Sequence, residues 1–362
     1  MSEFKLTTVE EFEAATDRLL ETGAKVGADA WQFRVKNQTP HCKFGEMGVC
    51  CRICSMGPCR ITPKAPRGIC GCDAHGIVGR NFLRFTAGGA ATHSDHGREI
   101  CITLGHAKEG GDYQVKDPEK LIRIAKEWGV ETEGKDIYDL AHEMSDLAQE
   151  EYGKIRGVSR WLKRAPQHTQ DLWHEAGIEP RAIDREVSCA MHMTHMGNTS
   201  KPEALIRQAL RNGLSDGWGG SMCGTEFSDV LFGTPKPIET EANLGVMNAE
   251  NVNIVVHGHD PSLSEMICEV ADSKEMIDYA KSMGAKGITI SGVCCTSNEV
   301  AMRRGIPMAG NFLQQENVVL TGACEAIVVD VQCIFPALGP LSKCFHTKFI
   351  TTSPICQMPD SD

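Results

Sequence analysis

Residues 42–59 read CKFGEMGVCCRICSMGPC, and residues 67–72 continue with RGICGC. Seven of the seventeen cysteines in the chain fall within these two stretches, and glycines and prolines separate many of them. No apolar stripe of useful length runs through the segment, so it is predicted to be irregular backbone wrapped around a bound group. Thiolates this close together require a partner, and the candidates are disulfide bonds, zinc and iron–sulfur clusters.

Disulfide bonds are disfavoured by the rest of the sequence. The first residues, MSEFK, show no basic start followed by an apolar run, so no secretory signal is expected. Isolated cysteines such as Cys101, Cys268 and Cys324 lie in ordinary globular sequence, which suits a reducing, cytoplasmic compartment. A structural zinc site normally joins two short cysteine pairs across a dozen or more residues. Here one short pair, Cys51-x2-Cys54, is followed by longer spacings, which favours iron–sulfur ligation and leaves zinc as an alternative.

The number of cysteines indicates how they are shared between clusters. Four of them complete one cubane cluster: Cys51, Cys54, Cys59 and Cys70. Cys42 and Cys50 remain as half of a second site, which the same pair from a second subunit would complete across a two-fold axis. The sequence therefore predicts a homodimer with a shared cluster. Cys72 is surplus and is interpreted as a small buried hydrophobic residue.

Composition and charge argue against several functional classes. The chain has 362 residues, of which 41% are hydrophobic, and this is typical of a globular protein with two or three domains. Its formal net charge of −11 at pH 7 argues against nucleic acid and anionic membrane surfaces as partners. No apolar run reaches the roughly 20 residues that a transmembrane helix needs, so no transmembrane segment is expected.

The hydrophobic pattern changes near residue 235 and predicts two domains of different architecture. Residues 1–235 are predicted to be mostly helical and to carry the cluster cysteines. A capping box of Thr8 and Glu11 starts a helix over residues 7–23, and a long helix is predicted over residues 76–104. Residues 236–362 alternate helices with apolar strands at 252–256, 287–291, 326–333 and 347–351. This alternation predicts a Rossmann-like, doubly wound parallel sheet, so the expected fold class is α + α/β.

Ligand-type residues follow three of the predicted strands. His259, Cys295 and Cys333 each come just past the carboxyl end of a strand, where open α/β sheets place their ligand crevice. Each residue alone is more often a buried structural side chain, but the three together predict a shared metal site. In the helical domain, His93 and His96 share one face of the long predicted helix, which is either a polar surface or a functional pair.

These motifs resemble those of the anaerobic nickel–iron carbon monoxide dehydrogenases. The resemblance continues along nearly the whole chain. It rests on residues 42–60 and 67–71, on His-Gly-His-x-Pro at 257–261, on Cys-Cys-Thr-x-Asn-Glu at 294–299 and on Asp-x-Gln-Cys at 330–333. It implies oxidation of CO with water to CO2, two protons and two electrons at a nickel–iron–sulfur active-site cluster. The electrons would leave through [4Fe–4S] clusters to a ferredoxin-like acceptor.

The resemblance also implies roles for the candidate ligands. The four cysteines of the predicted cubane would hold a [4Fe–4S] cluster within the subunit, and Cys42 and Cys50 would hold one shared by two subunits. His259, Cys295 and Cys333 would be ligands of the nickel–iron–sulfur cluster, with the first two on its outlying iron.

The resemblance also implies a role for the two histidines of the long helix. His93 and His96 would carry protons away from the active site. Glu99 and Ile102 stand where some relatives continue with further histidines, so this path is expected to be short or altered.

The length of the chain leaves the function open. Relatives are far longer, and the family's remaining active-site cysteines and a catalytic lysine would lie beyond residue 362; Cys344 and Cys356 do not resemble substitutes for them. The α/β domain is therefore expected to be incomplete, and the chain to be a fragment or to need a partner chain. The alternatives are an iron–sulfur electron-transfer module without CO chemistry and a hybrid-cluster-type reductase, over which the doubled Cys50-Cys51 favours carbon monoxide dehydrogenase. Association with an acetyl-CoA synthase subunit stays open.

Overall fold

The computed structural model describes residues 8–362 of the chain. The chain divides into two compact units. The cysteine unit is Pro40–Thr234, and the sheet unit combines the chain up to Thr39 with Pro235–Asp362.

Helices and strands occupy the chain as follows. The α-helices are α1 (Val9–Lys25), α2 (Trp31–Asn37), α3 (Lys43–Glu46), α4 (Ala74–Gly105), α5 (Pro118–Glu127), α6 (Ile137–Gly153), α7 (Gln167–Ala176), α8 (Ile183–Thr194), α9 (Pro202–Ser215), α10 (Met222–Phe232), α11 (Pro261–Ala271), α12 (Lys274–Ser282), α13 (Cys294–Arg304), α14 (Gln315–Leu320) and α15 (Leu338–Ser342). The strands are β1 (Cys50–Cys51), β2 (Cys59–Arg60), β3 (Val252–Gly258), β4 (Ile288–Val293), β5 (Met308–Gly310), β6 (Ala326–Val329) and β7 (Lys348–Thr351). Short 3-10 helices cover Arg160–Arg164, Leu244–Val246 and Phe312–Gln314, and a π-helical segment covers Asp216–Ser221.

The long helix α4 is the centre of the cysteine unit. Asp73 caps it, because its Oδ1 accepts a hydrogen bond from the Gly76 amide at 2.9 Å. The helix packs against α6, α8, α9 and α10 and buries Leu83, Ile100 and Leu104 completely. Burial of each such side chain contributes about 1.5–3 kcal/mol relative to exposure. The helix is therefore a rigid support for the side chains it carries.

The sheet unit is built on parallel strands in the order β5-β4-β3-β6-β7. This is the strand order of a Rossmann fold. The chain adds β4 and β5 on one side of β3 and then returns to add β6 and β7 on the other side. Val255 and Val256 are successive residues of β3 and both are buried, so both faces of the sheet are covered. The predicted fold class, α + α/β with a Rossmann-like parallel sheet, is confirmed. Open α/β sheets place their ligand crevice at such a reversal point, which here lies at the carboxyl ends of β3 and β6.

The N-terminal segment packs in the sheet unit, whereas the sequence placed all of residues 1–235 in the helical domain. Helix α1 packs on α14, and the Trp31 amide donates to Glu316 Oε2 at 2.6 Å. The indole Nε1 of Trp31 donates to the Leu313 carbonyl at 2.7 Å. Glu316 is fully buried and also pairs with Arg34, so the N-terminal segment compensates a charge that would be costly to bury alone. Trp31 and Glu316 are 285 positions apart, and no local pattern reveals such a contact.

The capping box predicted at the start of α1 is present. The Glu11 amide donates to Thr8 Oγ1 at 3.2 Å, and the Thr8 amide donates to Glu11 Oε2 at 2.9 Å. Residue 7, where the sequence placed the start of this helix, lies outside the described residues. None of the helices described between residues 8 and 362 combines the length and apolar character needed to cross a membrane.

Candidate metal centres

The cysteine unit brings one set of predicted ligands around a single pocket. Its lining includes the four cysteines that the sequence assigned to one cubane cluster, Cys51, Cys54, Cys59 and Cys70. Strands β1 and β2 pair antiparallel with Cys51 directly opposite Cys59, which places these two side chains next to each other. The glycines between them keep the backbone close to the sulfurs. A Cβ on Gly68 would lie 3.5 Å from Cys59 Sγ.

The environment of Cys70 favours the thiolate, which is the metal-binding form of cysteine. The Ile69 amide donates to Cys59 Sγ at 3.4 Å, and Arg80 Nη1 lies 3.9 Å from Cys70 Sγ. The pKa of Cys70 is lowered, first by the Cys72 amide and also by the Arg80 guanidinium. Arg80 is 3% exposed and is held by a 3.0 Å bond from its Nε to the Thr199 carbonyl. A sulfur-donor set with N–H groups directed at it fits an iron–sulfur cluster.

Cys72 lines the same pocket in a different electrostatic setting. It is buried, and burial raises the pKa of its thiol. A Cβ on Gly76 would lie 2.6 Å from its sulfur, so Cys72 packs tightly against the first turn of α4. These are the surroundings of a neutral thiol.

Cys42 and Cys50 lie outside this cysteine group. Cys42 is exposed at the start of α3, and Cys50 is half-buried beside Cys51 in β1. Successive residues of a strand point to opposite faces, so Cys50 faces away from the pocket that Cys51 lines. Asn81 on α4 anchors this segment, because its Nδ2 donates to the carbonyl oxygens of Gly48 and Cys50 at 2.9 and 3.0 Å.

The sheet unit places the second set of predicted ligands at one edge of the sheet. His259 directly follows β3, Cys295 lies in the first turn of α13 after β4, and Cys333 lies in the loop after β6. The pKa of the Cys295 thiol is raised, first by burial and next by the negative charge of Cys333, so the two sulfurs are close. His259 is buried at the same edge. Cys294 and Cys333 have φ of 66° and 59°, a left-handed conformation that residues other than glycine rarely adopt and that concentrates at functional sites.

Asp330 connects the elements that meet at this edge, a role that sequence reasoning did not predict beyond noting the motif that contains it. Its Oδ1 accepts from the His259 amide at 2.6 Å, and its Oδ2 accepts from Thr296 Oγ1 at 3.0 Å. The carboxylate therefore joins the end of β3 to the first turn of α13. Burial raises the pKa of Asp330 to about 7. Gly258 is required beside it, because a Cβ there would lie 1.8 Å from Asp330 Oδ1.

His257 is structural in this setting. It is buried in β3, its Nε2 lies 3.1 Å from Gln315 Oε1, and burial lowers the pKa of its imidazole to about 4. Across residues 8–362, no three His, Cys, Asp or Glu side chains are arranged to hold a single metal ion. The four pocket cysteines instead surround one cavity, and a [4Fe–4S] cluster takes one thiolate on each of its four irons.

His93 and His96 both lie on α4 but differ in their surroundings. His93 Nδ1 lies 2.7 Å from Asp216 Oδ1, and this hydrogen bond is the main reason why the pKa of His93 is raised. Burial lowers the pKa of His96 to about 4. Asp216 begins the π-helical segment, whose Gly220 lies so close that a Cβ would be 3.2 Å from the His93 carbonyl oxygen. Sequence reasoning missed Asp216, although π-helical insertions of this kind are frequent at functional sites.

One unit carries a cysteine-lined pocket, and the other carries a Rossmann-like sheet with ligand-type residues at its carboxyl edge. These features define a metalloprotein of mixed helical and α/β architecture. The chain belongs to the Prismane/CO dehydrogenase family, whose sequence model matches residues 49–362.

Named relatives agree with this assignment. Carbon monoxide dehydrogenase 1 of Methanosarcina mazei is 49% identical over 352 residues, which is 96% of this chain and 56% of that protein. Carbon monoxide dehydrogenase 1 of Carboxydothermus hydrogenoformans is 47% identical over 349 residues, which is 94% of this chain and 54% of that protein. The Ni-free crystal structure of carbon monoxide dehydrogenase from Thermococcus sp. AM4 superposes with a TM-score of 0.92 at 48% identity, over 95% of this chain and 55% of that chain. The chain thus spans about half the length of the curated relatives it matches.

Proposed function

We propose that the chain acts in the anaerobic oxidation of carbon monoxide, in which CO and water yield CO2, two protons and two electrons. The observation that carries this proposal is the meeting of His259, Cys295 and Cys333 at one sheet edge in a chain whose relatives are named carbon monoxide dehydrogenase. The external electron acceptor in this proposal is a ferredoxin-like protein.

Two groups of side chains fit the cofactors of such an enzyme. The four pocket cysteines would hold one [4Fe–4S] cluster, since the sulfurs surround one cavity and N–H groups point at them. His259, Cys295 and Cys333 would contribute to a nickel–iron–sulfur centre, and their imidazole and thiolate donors suit nickel and iron. When bound, that centre supplies a soft metal for the carbon of CO and a Lewis acid that activates water.

Two histidines of the chain would carry the protons that the reaction releases. Asp216 raises the pKa of His93 by stabilising its imidazolium, so His93 binds a proton more readily than a free imidazole does. His96 is kept neutral by burial, so it can accept a proton only transiently. We propose that His93 is the main proton carrier of the pair and that His96 is a relay behind it.

A second copy of the chain is the partner that we propose for the cysteine unit. Cys42 and Cys50 are two thiols, which is half of what a [4Fe–4S] cluster needs. Helix α4 also exposes Val78, Phe82 and Phe85, which recur on one helical face. An apolar stripe beside half a metal site fits a symmetric interface.

The proposal also includes a cellular compartment and a second protein partner. All seventeen cysteines are free thiols, which suits a reducing, cytoplasmic compartment. A relative from Moorella thermoacetica, 42% identical over 330 residues, is named carbon monoxide dehydrogenase/acetyl-CoA synthase subunit beta. Association with an acetyl-CoA synthase subunit is proposed on that similarity alone.

The test is metal analysis of the anaerobically purified chain, combined with CO-dependent reduction of a viologen dye. Nickel with iron beyond the pocket and shared clusters, together with dye reduction, supports the proposal. Iron for the [4Fe–4S] clusters without nickel or dye reduction would mean that the chain is an electron-transfer module, the alternative that its half-length match leaves in place. Zinc without iron would contradict both.

A further inference from the structure

The loop that carries Cys333 has an unusual backbone. Gln332 and Cys333 have φ of 69° and 59°, so two consecutive residues other than glycine are left-handed. This conformation is strained for residues other than glycine and persists only where the surroundings impose it. At its start the loop is fixed by Asp330, whose amide donates to the His257 carbonyl at 3.1 Å.

The end of the loop is held by the side chain of Gln315. Its Nε2 donates to the Cys333 carbonyl at 2.9 Å, and its Oε1 accepts from the Phe335 amide at 2.7 Å. The amide group thus bonds to the backbone on both sides of Ile334, as a neighbouring strand would. Gln315 is fully buried, so water cannot replace these bonds and their loss would leave buried polar groups unpaired.

The remaining hydrogen bonds of Gln315 attach the loop to two regular elements. Its Nε2 also donates to the Phe312 carbonyl at 2.6 Å, in the 3-10 helix before α14. Its Oε1 also lies 3.1 Å from His257 Nε2, in β3. Both donors and both acceptor positions of the amide are therefore used. The Phe335 amide can only donate, which identifies the end of the side chain that is the oxygen.

We propose that Gln315 is a positioning residue that holds Cys333 at the sheet edge in the conformation needed to bind the cluster. This inference rests on the proposed function, because Cys333 is a ligand only if the nickel–iron–sulfur centre forms there. Gln315 does not touch the metals; it acts through the backbone of Cys333.

Two substitutions of Gln315 separate the possible effects. Gln315→Glu keeps the shape but removes both donated bonds and buries a charge. Gln315→Met keeps a similar volume without charge or hydrogen bonds, so it removes the bonds alone. Gln314→Glu, one residue before Gln315, is the matched control. Gln314 forms a capping box with Asn311, and glutamate serves equally well in that position.

The first measurement is amide hydrogen exchange, followed by mass spectrometry, on the metal-free 362-residue chain. We expect residues 331–336 to exchange about tenfold faster in Gln315→Met than in the wild type, while β3 and β6 keep their protection. The Gln314→Glu control should match the wild type. Equal exchange of residues 331–336 in the Gln315→Met variant and the wild type overturns the proposal.

The second measurement is the iron and nickel content after anaerobic reconstitution, with Cys333→Ser as the reference for a lost ligand. We expect Gln315→Met and Gln315→Glu to keep the iron of the cysteine unit and to lose nickel about threefold or more. Wild-type nickel content in both variants overturns the proposal. Absence of nickel from the wild type itself contradicts the proposed function, and hydrogen exchange then decides whether Gln315 holds the loop.

Discussion

The carboxylate of Asp216 lies 2.7 Å from Nδ1 of His93, so the π-helical segment reaches helix α4 at one of its two candidate proton carriers. Asp216 raises the pKa of His93, first through this hydrogen bond and also through its charge. Three positions further along α4, burial lowers the pKa of His96 to about 4. The two histidines share a helical face but are prepared for different protonation states.

Replacement of Asp216 by asparagine should lower the pKa of His93, because the neutral amide cannot stabilise the imidazolium. The raised folded-state pKa means that the pair stabilises the folded chain below the unfolded pKa of about 6.5. This contribution is lost as the pH rises through the folded pKa. Both side chains are partly exposed, so it amounts to at most about 1 kcal/mol.

An NMR titration of the labelled imidazole in the metal-free chain measures this change. Asp184→Asn is the matched control, because Asp184 pairs with Arg98 on the same helix at 2.7 Å. An unchanged His93 titration in Asp216→Asn would show that the hydrogen bond does not control its protonation.

Arg80→Met should make Cys70 less reactive in the metal-free chain. The guanidinium helps the Cys72 amide to lower the pKa of Cys70, and only the thiolate is alkylated. We expect iodoacetamide to label Cys70 about three- to tenfold more slowly near pH 7.5, as measured by peptide mass spectrometry. Arg84→Met is the control, since Arg84 bonds instead to Thr194 Oγ1 at 2.9 Å. Equal labelling rates would mean that Arg80 does not contribute to the lowered pKa of Cys70.

Sequence patterns predicted the architecture because those patterns are local. The change from helical periodicity to alternating strands and helices near residue 235 is visible within windows of about a dozen residues. Clustered cysteines likewise predict a shared pocket, because a short irregular segment keeps its side chains close together in space. His259, Cys295 and Cys333 could be expected at one edge, because parallel strands end on the same side of a sheet.

The supporting residues could not be predicted, because their partners are distant in the chain. His93 and Asp216 are 123 positions apart, and Gln315 is 58 positions from His257. Their side chains are also ambiguous by type, since a lone Asp or Gln in sequence is most often exposed. The placement of the N-terminal segment depends in the same way on distant partners, among them the Leu313 carbonyl and the buried carboxylate of Glu316.

Gly258→Ala should strongly destabilise the sheet unit. The residue has φ of 134°, and its new Cβ would lie 1.8 Å from Asp330 Oδ1, so both the backbone and the carboxylate would have to move. We expect a loss of about 3–5 kcal/mol in the free energy of unfolding, measured by urea denaturation of the metal-free chain. In the control Gly287→Ala, the nearest atom to the new Cβ is 3.7 Å away, and stability should change little. Equal stability of the two variants would show that the backbone and the Asp330 carboxylate at this edge can move to accept the new Cβ at little cost.

Phe85→Glu should convert a dimer of the chain to monomers. Phe85 is 81% exposed on α4, and Val78 and Phe82 lie on the same exposed face. Burying a carboxylate in an apolar interface costs several kcal/mol, so the dissociation constant should rise at least about a hundredfold in sedimentation equilibrium. In the proposed dimer, Cys42 and Cys50 supply half of a shared cluster site, so the variant should also lose the iron of that cluster while the pocket cluster stays loaded. Leu172→Glu on α7, where Leu172 is 61% exposed, is the control that should leave the dimer intact. A Phe85→Glu variant that still dimerises would contradict the proposed interface. A monomeric variant that keeps the iron of the shared cluster would contradict the half-site argument.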